Sequence, residues 1–128
     1  MNTTTFKINW DCLSRVFIGA LFIFAGVAKI MDFNGVTGYI DSVIRTGSLT
    51  PVITAGVIFV EVIVAAAYVW GKFRKDLAAY ILIGFTALAT ILFHSDFNIQ
   101  LNVTMALKNL AIIGGLFATL DAVHKRRG

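Results

Sequence analysis

Six side chains able to hold or move a proton, or to grip an anion, fall inside or at the ends of apolar runs: Arg15, Lys29, Glu61, His94, Lys108 and Asn109. Glu61 is the only glutamate, and it lies midway along PVITAGVIFVEVIVAAAYVW, Pro51 to Trp70. A run of that length spans a bilayer as a helix. A charged carboxylate at its centre costs about 3 kcal/mol or more unless it is paired inside the protein. Arg15, Lys29 and Lys108 are each candidate partners. Such a set could relay protons or hold an anionic or quinone-like head group.

Each of these residues also has a plainer reading. Glu61 can form an ion pair that only fixes helix register. Lys29 and Arg15 can each reach a membrane surface along their own stems, and His94 can be an ordinary residue at a helix end. Lys108 is hardest to dismiss, because Asn109 follows it and neither suits lipid. The two histidines, His94 and His124, are far apart and Cys12 stands alone, so no metal site is expected. The sequence carries no CxxC, haem pair, glycine-rich nucleotide loop or nucleophile elbow, and no cofactor-binding motif is visible.

The elements that must position these groups follow from hydropathy. Of 128 residues, 58% are hydrophobic and 14% charged, well below the roughly 25% charge of a soluble domain. Apolar runs over residues 12–31, 51–70, 77–94 and 103–120 predict an all-α fold, an antiparallel four-helix transmembrane bundle in the lipid bilayer. Between the first two runs, Val36, Tyr39, Ile40 and Val43 recur at helical spacing, which predicts a short amphipathic helix on the membrane surface. Asp11, Thr50 and Asp76 are the expected N-caps of the first three spans, with Pro51 in the first turn of the second. A signal peptide cleaved near Gly26-Val27-Ala28 is the competing reading of the first run, but Asp11 is a poor residue for its leading segment.

Basic residues set the expected orientation. Lys7, Arg15, Lys72, Arg74, Lys75, Lys125, Arg126 and Arg127 fall on one side, and Lys29, Arg45 and Lys108 on the other, so both termini are expected in the cytoplasm. The net charge of +4 therefore speaks for membrane orientation, and nucleic acid is not an expected partner. Each span also carries a stripe of polar and small residues that should face the bundle interior. These are Arg15, Gly19, Phe22, Gly26 and Lys29 in the first, and Thr54, Glu61, Ala65 and Tyr68 in the second. Tyr80, Ala87, Thr90 and His94 form the third, and Thr104, Lys108, Ala111, Gly115 and Thr119 the fourth. Lys29, His94, Lys108 and Asn109 then converge on the outer half, above Glu61, as a polar pocket open to the outside. Arg15 falls near the inner surface.

The pattern Arg15-x3-Gly19-x2-Phe22-x3-Gly26-x2-Lys29 resembles the first-helix signature of the DoxX family. The resemblance continues through Glu61, Gly71, Arg74 to Tyr80 (RKDLAAY), His94 and Lys108 to Gly115 (KNLAIIGG), ending at Asp121. It covers essentially the whole chain as one domain, 1–128; Ala65 departs from it where glycine is common. It implies a small four-helix inner-membrane protein, with Arg15, Lys29, Glu61, His94, Lys108 and Asn109 as the matching polar positions and no catalytic role carried over. The family's link to quinol oxidase and thiosulfate–quinone chemistry implies a quinone as ligand and a membrane or periplasmic redox protein as partner. The leading expectation is an accessory subunit in a respiratory or redox-protection setting, as a monomer or homo-oligomer. The alternatives are an autonomous oxidoreductase or proton-coupled carrier using Glu61 and Lys108, and a scaffold with a purely structural polar core.

Overall fold

The computed structural model describes residues 8–71 and 74–127, and among these every regular element is helical. Helix α1 spans Trp10–Met31 and α2 Phe33–Ile44. A 3-10 turn over Gly47–Leu49 runs directly into α3, Thr50–Phe59, which continues as a π turn, Val60–Val64, and then as α4, Ala65–Trp70. Helices α5, Lys75–Phe93, and α6, Gln100–Arg127, complete the chain. Four stretches are long and apolar enough to cross a membrane: α1, Gly47–Trp70, α5 and Gln100–Lys125 of α6.

The helix starts differ from expectation. Asn9, not Asp11, caps α1, its Oδ1 accepting from the Cys12 N–H at 3.1 Å. Asp11 sits in the first turn and pairs with Arg15. Thr50 lies inside the helix, because the 3-10 turn supplies the preceding bonds and no side chain caps it. Pro51 occupies the first turn, where its missing N–H is harmless. Asp76 likewise lies within α5 and pairs with Arg74 at 3.2 Å. Helix α6 runs 28 residues, about 42 Å at 1.5 Å per residue, against a hydrocarbon layer of about 30 Å. Its C-terminal turns therefore extend past the run predicted from hydropathy. Lys7, Lys72 and the side chains of Arg126 and Arg127, used in the charge argument, lie outside the described residues.

The spans pack in a ring. α1 touches α3, the π turn, α4 and α6; α5 touches the π turn, α4 and α6. The core is Phe22, Ala65, Tyr68, Ala78, Ala79, Leu82, Leu116 and Leu120. Close approach of α1 to the second span depends on two glycines. A Cβ on Gly19 would run into the Val69 side chain, and one on Gly26 would lie 2.5 Å from Val62 Cγ2 and 3.0 Å from Glu61 Cβ. Small residues a turn or two apart bring helix backbones together in this way where lipid offers no hydrophobic drive.

Candidate functional site

Glu61 is carried on the π turn. The Ala65 N–H reaches back five residues to the Val60 carbonyl, and such single wide turns re-aim side chains within an otherwise regular helix. Opposite, Gly26 leaves room for the turn, and Lys29 lies one helical turn beyond it. Lys29 Nζ sits 3.0 Å from each Glu61 carboxylate oxygen. It hydrogen-bonds to Oε1; Oε2 is at ion-pair distance but out of hydrogen-bond alignment and has no donor. The Glu61 side chain is 7% exposed and Lys29 28%. Of the three basic residues the sequence offered, Lys29 is thus the partner of Glu61.

The pair forms part of the wall of a cavity of about 320 Å³ at the α2 end of the bundle. His94, Lys108 and Asn109 line it too, so five of the six expected residues meet in one place. Asn109 Nδ2 donates to Thr90 Oγ1 at 2.8 Å, and Thr90 in turn donates to the Thr86 carbonyl at 2.7 Å. His94 Nδ1 lies 3.4 Å from Asn102 Oδ1, tying the end of α5 to the start of α6. Among the described residues Lys108 makes no ion pair. It lies eight residues into α6, about 12 Å along its axis. Apart from Thr86 and the Tyr39 hydroxyl, the rest of the lining is apolar, from α1, α2, α3, α5 and α6. Tyr39 of α2 is part of it, its ring 5.6 Å from that of Phe93. The stripe on α2 includes Tyr39, but no sequence pattern marks it as cavity wall.

Arg15 is not in this cavity. At the opposite end its Nη1 donates to the Tyr68 and Val69 carbonyls at 3.3 and 2.8 Å, and its Nε to Asp11 Oδ2 at 3.1 Å. It is 6% exposed. A cation over the final carbonyls satisfies acceptors that the helix leaves open and complements its dipole. The role of Arg15 is to close α4. Gly71 follows at φ 65°, and a Cβ there would meet Arg15 Nη1 at 2.8 Å.

The stripes on the first two spans face inward as expected: Arg15, Gly19, Phe22, Gly26, Thr54, Glu61, Ala65 and Tyr68 are buried. The other two face inward only in part: Thr119 is buried as expected, and Thr90 and His94 are half-buried. Tyr80 is 50% exposed, and Ala79, Leu82 and Thr86 take the inner face of α5. In α6 Thr104, Lys108 and Ala111 are exposed, and Leu116, Thr119 and Leu120 are buried, so Lys108 reaches the cavity from its rim. Two polar contacts were not foreseen. The Tyr68 hydroxyl meets Thr119 Oγ1 at 2.6 Å, and because Thr119 donates to the Leu116 carbonyl, Tyr68 is the donor. Asp41 accepts from the Gly47 N–H and the Thr50 hydroxyl at 2.8 and 2.9 Å, fixing α2 to the start of α3. These bonds, that from Gly47 first, hold its carboxyl below the usual carboxylate range.

The family model described as DoxX matches residues 11–95, through α5. Inner membrane protein YqjF of Escherichia coli (strain K12) is 35% identical over 103 residues, 80% of this chain and 75% of that protein. No solved structure matches.

Proposed function

The chain belongs to the DoxX family of inner-membrane proteins, and on that premise we propose that it is an accessory protein whose cavity holds a quinone- or lipid-like ligand. The setting is respiratory or redox-protective, and a membrane or periplasmic redox protein is the partner that would exchange the ligand. The observation that carries this reading is Glu61 Oε2, buried beside Lys29 Nζ but accepting no hydrogen bond, in a cavity whose mostly apolar wall also holds Lys29, His94, Lys108 and Asn109. A quinone head suits that donor set, with Lys108 facing a ring carbonyl and Glu61 a quinol hydroxyl, and when bound it would supply two-electron redox chemistry. The protein would keep the head group dry, oriented and next to a carboxylate.

In this reading both termini are cytoplasmic and the cavity opens toward the outer leaflet. Arg74, Lys75 and Lys125 lie at the end opposite the cavity, with the exposed Trp10 and Trp70, the arrangement expected of an inner interface. Reporter fusions at Arg74 and Gly128 should both read cytoplasmic; periplasmic readouts at both reverse the orientation, and a periplasmic readout at one alone means a span is miscounted. A second reading, a scaffold whose polar core is structural, is favoured by the closed Lys29–Glu61 pair. Complementation separates the two. In a deletion strain, Glu61→Gln at wild-type membrane abundance should fail to restore the redox state of the extracted quinone pool. Full restoration would leave the scaffold.

A further inference from the structure

The cavity does not end at its polar wall. A second chamber of about 230 Å³, lined only by apolar residues, lies between α2, α3 and α5. Ile40, Val57, Phe85, Ala89 and Phe93 line both volumes, so the two adjoin. The chamber exists because the second span meets α5 through the π turn and α4, while the α3 half parts from it and α2 bridges the gap.

Charge bookkeeping then selects the occupant. Lys29 and Glu61 cancel, and Lys108, without an ion pair among the described residues, leaves the wall with one positive charge. Glu61 Oε2, at ion-pair distance from Lys29, accepts no hydrogen bond. A ligand that completes this wall brings one net negative charge, an acceptor for Lys108, a hydroxyl for Glu61 and an apolar tail for the chamber. We infer that cavity and chamber together form a site for an anionic glycerophospholipid with a free head-group hydroxyl, of the phosphatidylglycerol type. The phosphate faces Lys108, the glycerol hydroxyl donates to Glu61, and an acyl chain fills the space beneath α2. This rests on the ligand-holding reading above and names its ligand class. A phosphatidylethanolamine head also offers a phosphate to Lys108 and a donor to Glu61, but its net charge is zero, so the wall keeps its one positive charge. A neutral quinone leaves it uncompensated too.

The test titrates dioleoyl-phosphatidylglycerol, dioleoyl-phosphatidylethanolamine and decylubiquinone into the full chain in neutral maltoside detergent and reads apparent affinity from the rise in melting temperature. Phosphatidylglycerol should bind about tenfold more tightly than phosphatidylethanolamine, the worth of one charge-assisted contact. Lys108→Met should bring the two to parity. Gly56→Leu tests the chamber: Gly56 lines it, a Cβ there meets nothing within 4 Å, and leucine is the better helix former. That variant should weaken both lipids while keeping their ratio. Equal affinities in the wild type, a preference that survives Lys108→Met, or Gly56→Leu without effect each overturns the assignment. Stabilisation by decylubiquinone alone overturns it and leaves the ligand-holding reading standing; stabilisation by none of the three overturns both.

Discussion

Removing Lys29 and Glu61 singly and together should destabilise the protein unequally, and the inequality follows from burial. Lys29→Met leaves the Glu61 side chain, 7% exposed on the rigid π turn, without its cation. Breaking a buried pair in this way costs about 3 kcal/mol. Glu61→Gln strands Lys29 instead, but Lys29 is 28% exposed and near the end of α1, so its stem can swing the ammonium to the membrane surface. That change should cost about 1 kcal/mol. The double variant Lys29→Met/Glu61→Gln removes both charges and should also lie within about 1 kcal/mol of the parent. The coupling energy is then about 3 kcal/mol. Reversible unfolding in mixed micelles, followed by far-UV circular dichroism, reads all four proteins. Additive losses in the double variant, or a Lys29→Met protein as stable as the parent, would refute the pairing and the asymmetry drawn from it.

Other expectations attach to single contacts. Gly26→Val should lower stability by about 1–3 kcal/mol in the same unfolding assay, because its side chain must displace Val62 and the Glu61 stem. Gly71→Ala should cost about 1–2 kcal/mol, since φ is 65° and the new methyl meets the guanidinium of Arg15; the loss should shrink in an Arg15→Ala background. Asp41 has its pKa lowered in the folded state from 3.8, so its stabilisation is present above that value and fades as pH falls through the lower folded value. The protection factor of the Gly47 amide, its exchange rate corrected for the intrinsic pH dependence, should therefore fall under acid, and Asp41→Asn should remove that fall.

The sequence reveals the spans because twenty-odd apolar residues need no tertiary context to declare a membrane helix. The inner faces of α1 and of the second span are legible for a related reason. Arg15, Gly19, Gly26 and Glu61 are residues that lipid cannot satisfy or that only packing explains. On α5 and α6 the polar residues do not by themselves mark the packed face, so their rotation is set by their neighbours. Tyr80 turns outward while Ala79 and Leu82 pack inward, and Asn109 carries the hydrogen bond to Thr90 while Lys108 stays at the rim. The π turn is invisible in VEVIV, because nothing in those five residues distinguishes a bond to the fifth residue back from one to the fourth. The partner of Glu61 was undecidable among three basic residues until that contact put Lys29 beside it. Depth alone separated Arg15 from the others, and its closing of α4 depends on Gly71, where a Cβ would run into the guanidinium.

Native mass spectrometry of the protein extracted gently from its own membrane tests the central claim most directly. The account predicts a chain carrying one bound small molecule, retained in the wild type and lost in Glu61→Gln at equal abundance. A bare chain, or the same adduct in both proteins, would contradict a cavity that holds its ligand through Glu61.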